Sequence, residues 1–259
     1  MPSPPSHRGR RATVLVLALG LLALAGSLLG GYMHAVGLRG SSASGVVVAL
    51  GDSLTEGTGY TDHPWPEVLA RRLRAHRANA PTVVNAGIGG NRLLRGGMGP
   101  SALERFDRDV LARPGVRWVI VLEGINDLGF PGLVEPSAPP VTAEELIEAY
   151  RRLIVRAHAA GLRIYGGTLL PFEGTISPGY FSAEKEAVRQ AVNAWIRASG
   201  SFDAVIDFDA ALRDPRSPAR LLPAYDAGDH LHLNAAGHQA MGQTVDLRLF
   251  DEPAPGGHR

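Results

Sequence analysis

Five short apolar runs, none alternating with polar residues and each followed by a stretch of helical periodicity, constrain this chain more than any other feature. They are residues 46–50 (VVVAL), 82–85 (TVVN), 118–122 (WVIVL), 162–165 (LRIY) and 204–206 (AVI). A strand that faces water on one side alternates, whereas a run apolar at every position must be covered on both faces. That is the condition of a parallel sheet. Between the runs, Trp65, Val68, Leu69 and Leu73 share one helical face. Leu103, Phe106 and Val110 do the same before Pro114 and Gly115 stop the pattern. Thr142 with Glu145 forms a capping box ahead of the stripe Leu146, Ile147, Tyr150, Leu153, Ile154 and Ala157, and Gly161 stands where a C-terminal glycine belongs. Val188, Ala191, Val192, Trp195 and Ile196 mark a further helix, and residues 235–249 the last. Strand and helix in alternation predict an α/β fold, a three-layer α/β/α sandwich around a mostly parallel five-stranded sheet of the flavodoxin-like kind. The Pro/Gly-rich stretches 128–141 and 171–181 are expected to loop over that sheet.

Composition bears on the argument in three places. The chain has 259 residues, of which 45% are hydrophobic, enough for one sizeable core. It has no cysteine, which excludes disulfides, thiolate metal sites and a cysteine nucleophile. The net charge of +1 is uneven: four arginines (Arg8, Arg10, Arg11, Arg39) and no acid fall in residues 1–40, leaving the rest at about −3. A slightly acidic body offers no electrostatic reason to bind nucleic acid.

The basic residues 1–11 precede the uncharged apolar stretch 12–29, the order of an export signal. Ala23-Leu24-Ala25 offers a cleavage site, yet apolar character continues to Val36, long enough to span a bilayer. Residues 1–38 are therefore expected to be a signal peptide or a membrane anchor, 39–45 a linker, 46–250 the folded body and 251–259 a disordered tail. Export follows as an expectation, to a secreted or membrane-attached state with no other contact to the membrane.

In a parallel sheet, ligands bind beyond the carboxyl ends of the strands. There the chain carries Gly51-Asp52-Ser53-Leu54, then Asn85 to Arg92 with three glycines, then Glu123-Gly124-Ile125-Asn126-Asp127. Asp229-His230-Leu231-His232 precedes the last helix. These are the parts of acyl transfer: a serine on a tight turn, backbone N–H groups freed by glycine to approach an oxyanion, an amide donor, and a histidine with a carboxylate to hold its tautomer. Each part also has an ordinary reading. Gly-Asp-Ser and Gly-Gly-Asn-Arg occur in plain turns, Asn126 or Asp127 can cap a helix, and Asp229, His230 and His232 with nearby His238 can be read as metal ligands.

Taken together and in this order, the four segments resemble the four signature blocks of the SGNH/GDSL hydrolase family over roughly residues 46–249. The resemblance implies Ser53 as nucleophile and Asp229 and His232 as acid and base. It implies an oxyanion hole of the Ser53 N–H, Gly90 (or its neighbour Gly89) and Asn126. One residue departs from the pattern, Leu233, which follows the base where the family often has proline. No cofactor or metal is implied. Asp52 is expected to brace the turn, and Glu123 to be structural. The second and third blocks look like those of a branch with xylan-esterase-like members, and Arg92, Arg95 and His63 suggest a polar rim. The expected activity is removal of small acyl groups such as acetyl from a saccharide or similar polar ester, with Asn91, Arg92 and Phe172 contacting substrate. The alternative is a lipid acyl hydrolase of the lysophospholipase or thioesterase type, with Leu93, Leu94, Met98, Phe130, Leu133 and Phe172 lining an acyl groove. A non-catalytic glycan-binding surface module is the alternative of another class. Oligomeric state is not legible in the sequence.

Overall fold

The structure is a computed structural model, and it describes residues 45–57, 59–135 and 137–251. The N-terminal segment 1–38, the linker up to residue 44 and the tail from residue 252 lie outside the described residues. Among those described, no helix is long and apolar enough to cross a membrane.

Five parallel strands form the central sheet: β1 (Val46–Gly51), β2 (Thr82–Gly87), β3 (Val116–Leu122), β4 (Arg163–Gly167) and β5 (Ala204–Ile206). Their order is β2-β1-β3-β4-β5. The order reverses between β1 and β3, and at such a switch point the connections leave a crevice at the carboxyl ends. Helices cover both faces, giving the expected three-layer sandwich. The helix Trp65–His76 packs on the helix Ala235–Thr244 in one layer, and the helix Ala143–Ala159 packs on the helix Ala183–Ala198 in the other.

Burial follows position in the sheet. Val47, Val48, Ala49 and Leu50 of β1 and Val119 and Ile120 of β3 are fully buried, each large aliphatic contributing about 1.5–3 kcal/mol. The edge strands β2 and β5 have one neighbour each and are partly exposed, so double-sided burial holds for the centre and not for the margins. Helix ends obey local chemistry. Thr142 accepts from the Glu145 N–H while Glu145 reaches back, and the same helix closes in a Schellman motif, with Leu162 N donating to Ala157 O and Gly161 N to His158 O. Two helices depart from their expected course. The helix Ala102–Phe106 runs on into a π-helical turn, Asp107–Leu111. The last helix stops at Thr244, because Val245 and Asp246 are extended and drop Phe250 into the core against Trp118 and Tyr165. A two-stranded hairpin, β6 (Arg213–Asp214) with β7 (Ser217–Leu221), has no counterpart in the sequence reading.

Candidate active site

Ser53 opens a one-turn helix, Ser53–Glu56, directly beyond β1. Asp52 caps it: its buried carboxylate accepts from Leu54 N at 2.9 Å, and its carbonyl accepts from Thr55 and Glu56. The turn can lie this close to the sheet because β2 ends in glycine. A Cβ on Gly87 would stand 2.2 Å from Glu56 N.

The Ser53 hydroxyl lies 2.9 Å from His232 Nε2, and His232 Nδ1 lies 2.6 Å from Asp229 Oδ2. The other oxygen of Asp229 accepts the backbone N–H groups of Leu231 (3.1 Å) and His232 (2.8 Å), so one carboxylate fixes both the loop and the ring. Partial burial pushes the Asp229 carboxyl up, but the bonds from the His232 N–H and ring and from Leu231 outweigh it and hold it below the usual carboxylate range. His230, inside this loop, has φ 61° and is the one non-glycine residue at positive φ among those described. Such a backbone costs about 1–3 kcal/mol and persists where its surroundings over-determine it. Here the surroundings are Asp226, which accepts the His230 backbone N–H and closely contacts its ring. Leu233 takes the position where the family often has proline, and it is fully buried.

The turn Ile88 to Asn91, closed by Asn91 N donating to Ile88 O at 3.0 Å, follows β2. Gly90 has φ 69°, a conformation that other residues rarely adopt. Asn126, just beyond β3, donates one amide hydrogen to Asn91 O at 2.9 Å, and its Oδ1 accepts from the Tyr180 hydroxyl at 2.8 Å. Tyr180 thereby settles which way the amide points and leaves the second N–H free of these two bonds. Burial pushes the Tyr180 phenol well above its ordinary range, so it remains a donor.

Beneath these groups lies a buried polar layer. Arg105 donates to Gly51 O (2.9 Å), Ala86 O (2.7 Å) and Asn91 Oδ1 (2.9 Å), tying together the ends of β1 and β2 and the glycine turn. Asp127 accepts from Leu93 N (2.6 Å) and Leu94 N (3.0 Å). Burial pushes its carboxyl up to about 6, with those two bonds opposing. Glu123 is fully buried; one of its oxygens lies 3.5 Å from Arg105 Nη2 and the other has no partner. Burial, then the neighbouring carboxylates, raise the proton affinity of both Glu123 and Asp52.

The structure brings Ser53, Asp229 and His232 together, with Gly90 and Asn126 beyond adjacent strand ends. Three residues expected to contact substrate are placed in the interior. Asn91 is buried, and its amide serves Met98 O and Pro100 O. Arg92 is buried, with its guanidinium on Glu135 and Gly96 O. Phe172 is buried against Tyr180 and Phe181. The polar groups of Asn91 and Arg92 are thus engaged within the protein, and Phe172 packs among aromatic rings. Among the described residues no three His, Asp or Glu side chains converge as metal ligands, and His230 turns to Asp226 while His232 turns to Asp229. Sequence reasoning missed Arg105, Tyr180 and Tyr60, the last stacked on the His232 ring. Arg105 alone left a trace, a charge between the helix-face residues Leu103 and Phe106.

Residues 49–240 match the GDSL-like lipase/acylhydrolase family. No curated protein matches the chain in sequence. Among solved structures, it is similar to a G-D-S-L family lipolytic protein from Desulfitobacterium hafniense (22% identity, TM-score 0.58, covering 77% of this chain and 96% of that one). It is similar to a catalytic mutant of an acetylxylan esterase from Geobacillus stearothermophilus (21% identity, TM-score 0.59, 78% and 93%). A GDSL-like lipase from Bacteroides thetaiotaomicron is also similar (18% identity, TM-score 0.57, 78% and 85%). These likenesses are of fold, and the family match carries the assignment: the chain belongs to the GDSL-like lipase/acylhydrolase family and is a GDSL-type ester hydrolase.

Proposed function

We propose that this protein is a serine esterase that removes small acyl groups, acetyl above all, from a saccharide or a similarly polar alcohol. The observation that carries the mechanism is the relay from Ser53 through His232 to Asp229, with distances of 2.9 and 2.6 Å. Ser53 Oγ attacks the ester carbonyl as its proton passes to His232 Nε2. The tetrahedral oxyanion receives hydrogen bonds from Ser53 N, Gly90 N and the free amide hydrogen of Asn126. His232 then gives its proton to the departing alkoxide, leaving an acyl-serine and a free alcohol. Water, deprotonated by His232, hydrolyses the acyl-serine, and the proton returns to Ser53. Each oxyanion donor is worth about 10²–10³ in turnover.

The preference for a small acyl group rests on what the apolar residues are doing. Leu93 and Phe172 are fully buried and so are withdrawn from any long acyl groove, and Leu94, Phe130 and Leu133 are partly covered by the core. The preference for a polar alcohol draws on the polar residues next to the Asp229–His232 loop, where Asp226, His230 and Arg220 line a hollow of about 380 Å³ together with Leu221 and Pro223; the catalytic side chains themselves do not line it. The acetylxylan esterase among the structural neighbours agrees with this reading. A second reading, hydrolysis of lipid acyl esters, draws on two exposed apolar side chains at the rim: Met98 beside Gly90, and Ile176, whose N–H binds Asp229 O.

The test is hydrolysis of p-nitrophenyl esters from acetate to palmitate by the wild type and Ser53→Ala. Activity that falls with chain length and vanishes in the variant supports the proposal. A maximum at octanoate or longer moves the substrate to lipids, and activity surviving in Ser53→Ala refutes the serine mechanism. We also propose export through residues 1–38, on their basic and then apolar sequence. Recovery of the expressed chain in the cytosol would overturn this.

A further inference from the structure

Tyr60 lies on the chain that leaves the nucleophile helix. Gly57 N donates to Ser53 O at 2.9 Å, and Tyr60 N and Thr61 N both donate to Gly57 O at 3.2 Å. The turn folds Tyr60 back over the acid–base pair. Its ring lies 4.1 Å from the His232 ring, centroid to centroid, with 14° between the planes. Its hydroxyl is 3.5 Å from Asp229 Oδ2, the oxygen that also meets His232 Nδ1.

We propose that Tyr60 is a positioning residue of this site: its ring favours the imidazolium of His232 that forms in each proton transfer, and its hydroxyl steadies Asp229. The proposal rests on the reading of His232 as the base. A cation above an aromatic face within about 6 Å is attracted by the ring's negative face, and neutral imidazole gains much less. The stacking is therefore differential, stronger when His232 carries the proton taken from Ser53, which is the form that catalysis must stabilise. The other groups around His232 leave room for this effect. Ser53 meets Nε2 and Asp229 meets Nδ1. His238, on the helix Ala235–Thr244, is pushed down to about 4 by burial and then by His232, so it is neutral at working pH. Glu56, on the nucleophile helix, lies against Gly89 on the far side of Ser53. Asp229 is thus the one charged partner in direct contact, and Tyr60 adds to it from the open face.

The experiment compares the full-length protein with Tyr60→Phe, Tyr60→Leu and Tyr60→Ala, using p-nitrophenyl acetate, with His232→Ala as control. Tyr60→Phe keeps the aromatic face and loses the hydroxyl; it is expected to retain most of kcat and the wild-type acidic limb of the kcat/KM–pH profile. Tyr60→Leu keeps apolar cover without a π face. Leu and Ala are expected to lower kcat roughly two- to fivefold with little change in KM, and to move the acidic limb down by about half a pH unit. A residue that merely shielded the ring would do the opposite, since exposing imidazolium to water moves the limb up. An unmoved or raised limb in both variants, or a Leu variant identical to wild type, overturns the proposal. Full activity in His232→Ala would overturn the reading of the base beneath it, whereas an inactive His232→Ala with an unmoved limb sinks Tyr60 alone.

Discussion

The two sides of the active site are built differently. On the oxyanion side, Asn126 is held by Tyr180 and Asn91, Asn91 by Arg105, and Arg105 by the carbonyls of two strand ends. Every one of these side chains is buried. On the acid–base side, Asp229 and His232 sit on a part-exposed loop that is organised largely by its own hydrogen bonds, contains a residue in the left-handed region, and is covered by one half-exposed tyrosine. The difference matches the demands of the chemistry. Donors for a developing oxyanion help only if they are fixed before the charge appears, because reorientation would consume the gain. A base must take a proton from one oxygen and deliver it to another, which small ring movements assist. One side is held by buried side chains from several elements, and the other by the hydrogen bonds of its own loop.

The comparison can be broken at several points. The largest expected effect is His232→Ala, which removes the relay and should lower kcat on the order of 10⁴–10⁶-fold while the melting temperature changes little; steady-state kinetics beside a thermal melt check both halves. Next is Arg105→Met. Removing one partner from a buried charged network typically costs about 3–5 kcal/mol, so this variant should lose stability first and activity as a consequence. Urea denaturation would show it, and a variant as stable as wild type would mean that the buried layer is not what holds the oxyanion side. Smaller is Tyr180→Phe, which frees the Asn126 amide to turn. A kcat loss of about tenfold at near-constant KM is expected, from one buried hydrogen bond and the donor it aims. A change confined to KM would contradict this account.

The smallest effect is in pH dependence. Burial, then Asp52, pushes the Glu123 carboxyl well above its ordinary range near 4.5, so the folded protein holds this proton more tightly than the unfolded chain. Stability from such a group is full at low pH and declines as pH rises through the window above 4.5. Glutamine imitates the protonated acid and has no such decline. Glu123→Gln should therefore gain stability relative to wild type between about pH 5 and 8, and a difference constant across that range would show that Glu123 is ionised in the fold.

Legibility in the sequence followed the same division. Periodicity placed Ser53 at a strand end and Asp229 and His232 three apart in one segment, but their roles came from the resemblance of the four segments taken together, since each segment alone reads as an ordinary turn. Gly90 (or Gly89) and Asn126 likewise drew their expected roles from the resemblance; the sequence alone showed only that glycine and asparagine stand beyond strand ends. Asn91, Arg92 and Phe172 are buried, which the sequence did not show, because a polar or aromatic residue near a rim can point either out or down and nothing local distinguishes the two. Tyr180 and Tyr60 were silent because each acts on a partner far along the chain, as Tyr180 does on Asn126 across 54 positions.

What this sequence determined by itself is the order of its five central strands and main helices, and hence a parallel sheet whose carboxyl ends gather the reactive residues. Hydrophobic periodicity and glycine placement are local properties, written within a few residues. Tertiary structure alone decided which side chains are buried supports and which face the substrate. That choice depends on the packing of loops over strand ends, and packing is set by contacts between residues that no local pattern relates.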